Sequence, residues 1–207
     1  MLFRKKPVLL PAGSDLCAVV TDDLDNSFAD MVEACFAPPV QERTEMAFEN
    51  RRDASPQTLL RKNLITRGQW LLLLAEGFDF EMENGGLAQF IVNKPDWVGE
   101  IPMALEALGL GAFRDAYVET VNRLEAAVDG FRPSGGGSLL SILRDTNRLE
   151  EQLREHTDDG LIDRNYTMRW DEGSGTTVWD DEQWSRQLKR RMIDWVAEHP
   201  EEFRKTS

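Results

Sequence analysis

The chain has 207 residues and a formal net charge of −13, from 37 acidic and 24 basic side chains. A hydrophobic share of 41% and a charged share of 29% are typical of a folded globular protein with one or two domains, and they exclude a disordered chain. So much negative charge disfavours direct binding to nucleic acid or to an anionic membrane. The longest apolar run, residues 70–75, is far shorter than the roughly 18 residues that a membrane span needs.

The chain begins with a basic segment, residues 1–14, which we predict to be a loosely held arm. It contains Arg4, Lys5 and Lys6, and the prolines and glycine that follow leave no apolar stretch typical of a signal peptide. We therefore predict a cytoplasmic location.

Apolar residues recur at spacings of three and four from Asp15 onward and predict one helix that reaches Cys35. Cys17 and Cys35 both lie on this stripe, and we predict buried thiols in a reducing compartment. Eighteen residues of unbroken helix span about 27 Å, which is too far for a disulfide between them. A break in the helix near residues 21–22 would remove this argument.

Two more helices are predicted before the middle of the chain. Ser55 and Pro56 form a helix start signal, and a leucine stripe continues from there toward Phe78. Residues 84–86, Asn-Gly-Gly, interrupt the pattern, and a short segment then runs to about Asn93.

The second half of the chain is predicted to hold further helices and one β-hairpin. A short apolar stripe predicts a helix near residues 104–108, and a longer stripe predicts a helix over 113–128. Residues 134–137 form a glycine-rich joint, and another helix is expected from Ser138 to about residue 153. Alternating residues around a Gly-Ser-Gly turn predict a hairpin over 165–179, before a final helix that Pro200 ends.

These patterns predict a mainly α fold, a compact multi-helix domain with one small β-hairpin near 165–179. We divide the chain into the arm at 1–14, a helical core at 15–133 and a C-terminal extension at 138–207. The extension, which consists of helix, hairpin and helix, is expected to pack on the core.

The sequence offers little for catalysis. The only histidines are His156 and His199, and with the two cysteines they form no CxxC, HxxxH or HExxH pattern. The paired glycines at 85–86 lack the Lys-Ser/Thr of a phosphate-binding loop, and no Gly-x-Ser-x-Gly is present. We predict no catalytic residue, no metal and no cofactor, although acid pairs such as Glu81 and Glu83 leave a carboxylate or metal-dependent hydrolase open.

Two motifs carry a more specific signal. Residues 81–93 read Glu-Met-Glu-Asn-Gly-Gly-Leu-Ala-Gln-Phe-Ile-Val-Asn, and residues 104–109 read Ala-Leu-Glu-Ala-Leu-Gly. In this order and spacing they resemble the bacterial DNA-mimic protein family, most of whose members are known only as a domain of unknown function. The resemblance extends over roughly residues 59–131 and leaves the tail from Ser138 unexplained. The chain departs from the family pattern at Leu87, where an aromatic residue is usual, and at residues 94–96, where small residues are usual.

We interpret the first motif as structural rather than catalytic. The asparagine is expected to cap the segment after it, and the paired glycines to let two helices approach with no Cβ between them. The phenylalanine should anchor the short helix in the core, while the glutamine and the last asparagine satisfy loop backbone groups. These residues are Asn84, Gly85, Gly86, Gln89, Phe90 and Asn93.

The resemblance implies a helical, often dimeric protein whose carboxylates imitate DNA phosphates and occupy a DNA-binding protein. Our leading hypothesis is accordingly a non-catalytic acidic module that binds a basic DNA-binding protein, such as a transcriptional regulator, with no direct nucleic acid, no membrane and a possible homodimer. The alternatives are an immunity-type protein that neutralises one toxin and, third, the hydrolase. The candidate partner-binding carboxylates, all expected to be exposed, are Asp79, Glu81, Glu83, Asp96, Glu100, Glu106, Asp115 and Glu119.

Overall fold

The computed structural model describes residues 6–16, 23–38, 40–49, 55–128, 146–157, 161–166, 169–171, 176–178 and 183–205. Within them the protein is mainly α-helical, and no described helix is long and apolar enough to cross a membrane. The helices are α1 (Leu24–Cys35), α2 (Val40–Glu49), α3 (Pro56–Arg61), α4 (Arg67–Asn93), α5 (Ile101–Ala107), α6 (Gly111–Ala127), α7 (Thr146–Thr157), α8 (Leu161–Tyr166) and α9 (Trp184–Glu198). Short 3₁₀ helices occupy Pro95–Trp97 and Pro200–Glu202.

The chain divides into two compact units. One combines Met1–Glu76 with Lys189–Ser207, and the other is Gly77–Leu188. Both boundaries fall inside helices, within α4 and α9. The predicted joint at 134–137 and the start of the predicted extension at Ser138 lie outside the described residues.

The first helix is shorter than predicted. It begins at Leu24, because Asp23 has extended backbone angles (φ −94°, ψ 91°) and its side chain accepts the amide N–H of Asn26 as an N-cap. The prediction of one unbroken helix from Asp15 to Cys35 is therefore wrong, and the distance argument against a disulfide no longer holds. Cys35 is buried at the end of α1, while Cys17 lies outside the described residues.

The leucine stripe after Ser55 also belongs to two helices, not one. Ser55 caps α3 as predicted, with its hydroxyl accepting the Thr58 amide and Pro56 at the first helical position. The helix ends at Arg61, and Asn63 takes a left-handed conformation at φ 55°. Helix α4 then starts from a capping box, in which Thr66 and Gln69 exchange side-chain-to-backbone hydrogen bonds of 3.1 Å.

In the unit formed by Met1–Glu76 and Lys189–Ser207, the described part of the N-terminal segment is held by hydrogen bonds. The Leu10 amide donates to the Phe203 carbonyl at 2.9 Å, and the Lys205 amide donates to the Leu10 carbonyl at 3.0 Å. The Gln69 side chain donates to the Val8 carbonyl at 2.8 Å. The expectation of a loosely held arm is wrong for residues 6–14, whereas Arg4, Lys5 and their neighbours lie outside the described residues.

In the unit Gly77–Leu188, the core is built around the ring of Phe78. The rings of Phe90, Tyr117 and Tyr166 contact it edge-on, with centroids 4.8, 5.8 and 5.6 Å away. Helices α5 and α6 pack against each other, and the buried Tyr117 hydroxyl donates to the Val98 carbonyl at 3.0 Å. Aromatic packing of this kind fixes α4 against α6 and α8.

Two short strands lie within the range of the predicted hairpin. Strand β1 (Arg169–Asp171) pairs antiparallel with β2 (Thr176–Val178), and Trp170 faces Thr177 in the register. The residues that join the strands, 172–175, lie outside the described residues.

Candidate functional site

The first motif lies at a break inside α4. Gly86 has φ 73° and ψ −170°, a conformation that only glycine adopts without strain, so the helical path is interrupted there. A Cβ on Gly85 would overlap the side-chain amide of Gln89. Gly86 therefore allows the interruption of the helix, and Gly85 leaves room for a side chain of the segment that follows.

A buried carboxylate joins the two sides of this break. Glu81 is only 5% exposed, and its Oε2 accepts one hydrogen bond from Gln89 Nε2 at 3.0 Å and another from Asn93 Nδ2 at 2.7 Å. Hydrogen bonds to an ionised acceptor are stronger than neutral ones. We had expected Gln89 and Asn93 to satisfy loop backbone groups; in the structure both side-chain amides donate to Glu81.

The remaining polar residue of the motif also differs from its predicted role. The Asn84 side chain donates to the Phe80 carbonyl, one turn earlier, at 2.6 Å. It thus closes the helix that precedes the break, where we had expected it to cap the segment that follows. Phe90 is fully buried and packs against Phe78.

A second buried carboxylate binds a tyrosine. Asp79 is 5% exposed, and its Oδ1 accepts a hydrogen bond from the Tyr166 hydroxyl at 2.5 Å. Burial raises the pKa of Tyr166 well above its ordinary value, and the negative charges of Asp79 and Glu83 raise it further. The tyrosine therefore stays protonated and remains a hydrogen-bond donor to Asp79 at neutral pH.

Three of the eight carboxylates that we expected to be exposed are buried. Besides Asp79 and Glu81, Glu100 is only 4% exposed, at the residue before α5. For these three the prediction of exposure is wrong, since at most 5% of each residue is accessible to solvent. They cannot present charge to a partner in this conformation.

The other five reach solvent. Glu83, Glu106, Asp115 and Glu119 are exposed and Asp96 is half-buried. Arg114 lies among them: its guanidinium forms ion pairs with Glu106 and with Asp115, the latter at 2.7 Å. All five belong to the unit Gly77–Leu188, on or beside α4, α5 and α6.

Three residues of this region were not among those predicted from the sequence: Tyr166, Arg114 and Phe80. Tyr166 was assigned to the hairpin, and nothing in its local sequence points to Asp79, 87 positions away. Arg114 could have been found from its neighbour Asp115 in the sequence. Phe80 is 59% exposed, whereas Phe78 and Met82 on either side are buried, a difference that helical periodicity predicts once the inner face is known.

A family model described as DMP19-like protein matches residues 63–199, about two thirds of the chain. The chain belongs to the DMP19-like protein family. Both sequence motifs lie within the match, which also continues through residues 138–199, where the motif resemblance had explained nothing. The family region thus includes α7, α8, both strands and α9. No curated protein and no solved structure gives a significant match to the chain.

Proposed function

We propose that the protein is a non-catalytic acidic module that occupies the DNA-binding surface of a basic protein, with exposed carboxylates in the place of DNA phosphates. Membership of the DMP19-like family supports this proposal, as does the formal net charge of −13. A transcriptional regulator is the kind of partner we favour, because its DNA-binding surface is rich in arginine and lysine.

The observation that carries the proposal is the arrangement of acids on α6. Asp115 and Glu119 are both exposed and lie four residues apart, so they share one face of the helix. Four residues rise about 6 Å along a helix, and phosphates of one DNA strand are spaced about 3.4 Å along the duplex axis. The pair therefore presents two exposed negative charges about 6 Å apart along the helix axis, and a DNA strand likewise presents closely spaced negative charges.

Further exposed acids add to the negative charge of Asp115 and Glu119. Glu106 on α5 shares the Arg114 guanidinium with Asp115, and the α4 residue Glu83 lies at the first motif. Arg114 neutralises part of this charge, and it also holds two carboxylates close together. Their separation is thereby restrained before a partner arrives, which reduces the entropy lost on binding.

Competition with DNA tests the proposal. The immobilised full-length protein is used to capture proteins from a lysate of the source organism, with and without excess duplex DNA. We expect a basic DNA-binding protein that is retained alone and released by the duplex.

An uncharged polymer of similar size serves as the control for non-specific displacement. If nothing retained is released by DNA, the proposal fails. A single tight partner that resists both DNA and salt would then favour an immunity-type protein.

A further inference from the structure

Three large apolar side chains are exposed among the described residues. They are Phe80 on α4 at 59%, Met103 on α5 at 42% and Val118 on α6 at 37%, and all three belong to the unit Gly77–Leu188. Single exposed apolar residues are common on protein surfaces and need no explanation. These three are of interest because of the charged residues beside them.

Each of the three lies three residues from an exposed carboxylate on the same helix. The pairs are Phe80 with Glu83, Met103 with Glu106, and Val118 with Asp115. Side chains three apart on a helix are neighbours, with Cβ atoms about 5–6 Å apart. Apolar surface is therefore presented together with negative charge on α4, α5 and α6.

Phe80 and Glu83 make the most specific of these pairs. An aromatic ring attracts a cation over its face, and a carboxylate forms a charge-assisted hydrogen bond with the same cation. Arginine suits both, because its planar guanidinium stacks on a ring while its edge donates to a carboxylate, whereas lysine is a compact point charge.

We propose that Phe80 and Glu83 form a subsite for an arginine side chain of the basic partner protein. This inference rests on the proposed function and specifies one contact within it. In a two-fold dimer through this surface a second copy of the chain is a poor occupant, because it would bring its own Glu83 against the same acidic surface, and each copy carries a net charge of −13. A basic protein brings the complementary charge.

The test uses the DNA-displaceable protein recovered in the capture experiment, purified and titrated against four forms of the full chain. These are the wild type, Phe80→Ala, Phe80→Leu and Glu83→Gln, each measured at several salt concentrations. We expect Phe80→Ala to weaken binding about tenfold at every salt concentration, because an anchoring aromatic residue is lost without a change in charge. Phe80→Leu keeps apolar area but not the ring, and we expect it to restore less than half of that loss.

Glu83→Gln should act differently, flattening the dependence of affinity on salt by about one unit of slope. Thermal melts of all four forms should agree, since both positions are exposed. Wild-type affinity in Phe80→Ala would overturn the arginine subsite and leave the proposed function intact. Full rescue by Phe80→Leu would also overturn it, since it would show apolar burial without a role for the ring.

Sedimentation of the wild type and of Phe80→Ala, each without the partner, tests whether a second copy of this chain occupies the site. If Phe80→Ala changes the oligomeric state and leaves partner affinity unchanged, Phe80 belongs to an interface between copies of this chain and the subsite is refuted. If no DNA-displaceable protein is captured at all, the proposed function and this inference both fail.

Discussion

Two groups of carboxylates in the unit Gly77–Leu188 have opposite surroundings. Glu81 and Asp79 are buried and accept hydrogen bonds from side chains distant in sequence, whereas Glu83 and Glu119 point into solvent. Glu81 and Glu83 are only two residues apart on one helix. The two acids of this motif therefore differ in role: the buried Glu81 joins the two sides of the kinked helix, and the exposed Glu83 is the one we propose for partner binding.

The largest expected difference lies between Glu81→Ala and Glu83→Ala. Glu81→Ala removes a buried side chain and the shared acceptor of the Gln89 and Asn93 amides, and we expect a loss of about 1–3 kcal/mol in the free energy of unfolding. Truncating the exposed Glu83 should change it by less than about 0.5 kcal/mol. Chemical denaturation of the two variants measures both values.

Equal destabilisation by these two substitutions would contradict the division into buried and exposed acids. An intermediate variant, Gln89→Ala, sharpens the result because it removes one of the two donors and keeps the carboxylate. We expect it to cost about half as much as Glu81→Ala.

The next effect concerns the break that Glu81 spans. Gly86→Ala places a Cβ on a residue at φ 73° and ψ −170°, and we expect a loss of about 1–3 kcal/mol from backbone strain. A bulkier Gly86→Val should cost at least as much. The matched control is Gly111→Ala in the first turn of α6, where a Cβ would meet nothing within 4 Å.

Gly111→Ala should leave the melting temperature unchanged or raise it slightly, since alanine favours the helix. A Gly86→Ala variant that melts with the control would show that the break does not require glycine.

A smaller and pH-dependent effect is expected at the Asp79 pair. Tyr166→Phe removes the hydroxyl that donates to Asp79, and we expect a loss of about 1–2 kcal/mol at pH 7. Because the pKa of Tyr166 is raised in the folded protein, its contribution is complete below pH 10, the ordinary tyrosine value, and declines as the pH rises above it.

The gap in stability between wild type and Tyr166→Phe should therefore narrow above pH 10, by about 1.4 kcal/mol per pH unit. Tyr117, whose pKa burial also raises, is present in both proteins and cancels from the difference. Denaturation curves between pH 9 and 11 measure the gap, and a gap that stays constant would show that Tyr166 does not resist ionisation.

Much of the helical architecture was predictable, because it depends on local periodicity and capping. The Ser55 cap and the long helix α6 follow from residues next to each other in sequence. The burial of Glu81 and Asp79 was not predictable, since their partners lie 8, 12 and 87 residues away. Sequence periodicity identifies an inward face from its apolar residues. A carboxylate on that face is therefore predicted to be exposed.

The exposed acids should contribute little to stability and much to partner binding. One variant neutralises four of them: Glu83→Gln, Glu106→Gln, Asp115→Asn and Glu119→Gln. A control makes the same change in net charge at exposed acids of the other unit: Asp30→Asn, Glu33→Gln, Asp194→Asn and Glu198→Gln. Both should unfold within about 1 kcal/mol of wild type, since exposed charges are weakly coupled to folding.

The most direct measurement is the dependence of partner affinity on salt for these two variants and the wild type, using the DNA-displaceable protein from the capture experiment. If the acids of α4, α5 and α6 stand in for phosphates, the first variant should flatten the slope by up to about four units, roughly one for each lost contact. The control should keep a slope close to that of the wild type. Equal slopes in the two variants would contradict DNA mimicry by these acids, because binding would then depend on net charge and not on where the carboxylates lie.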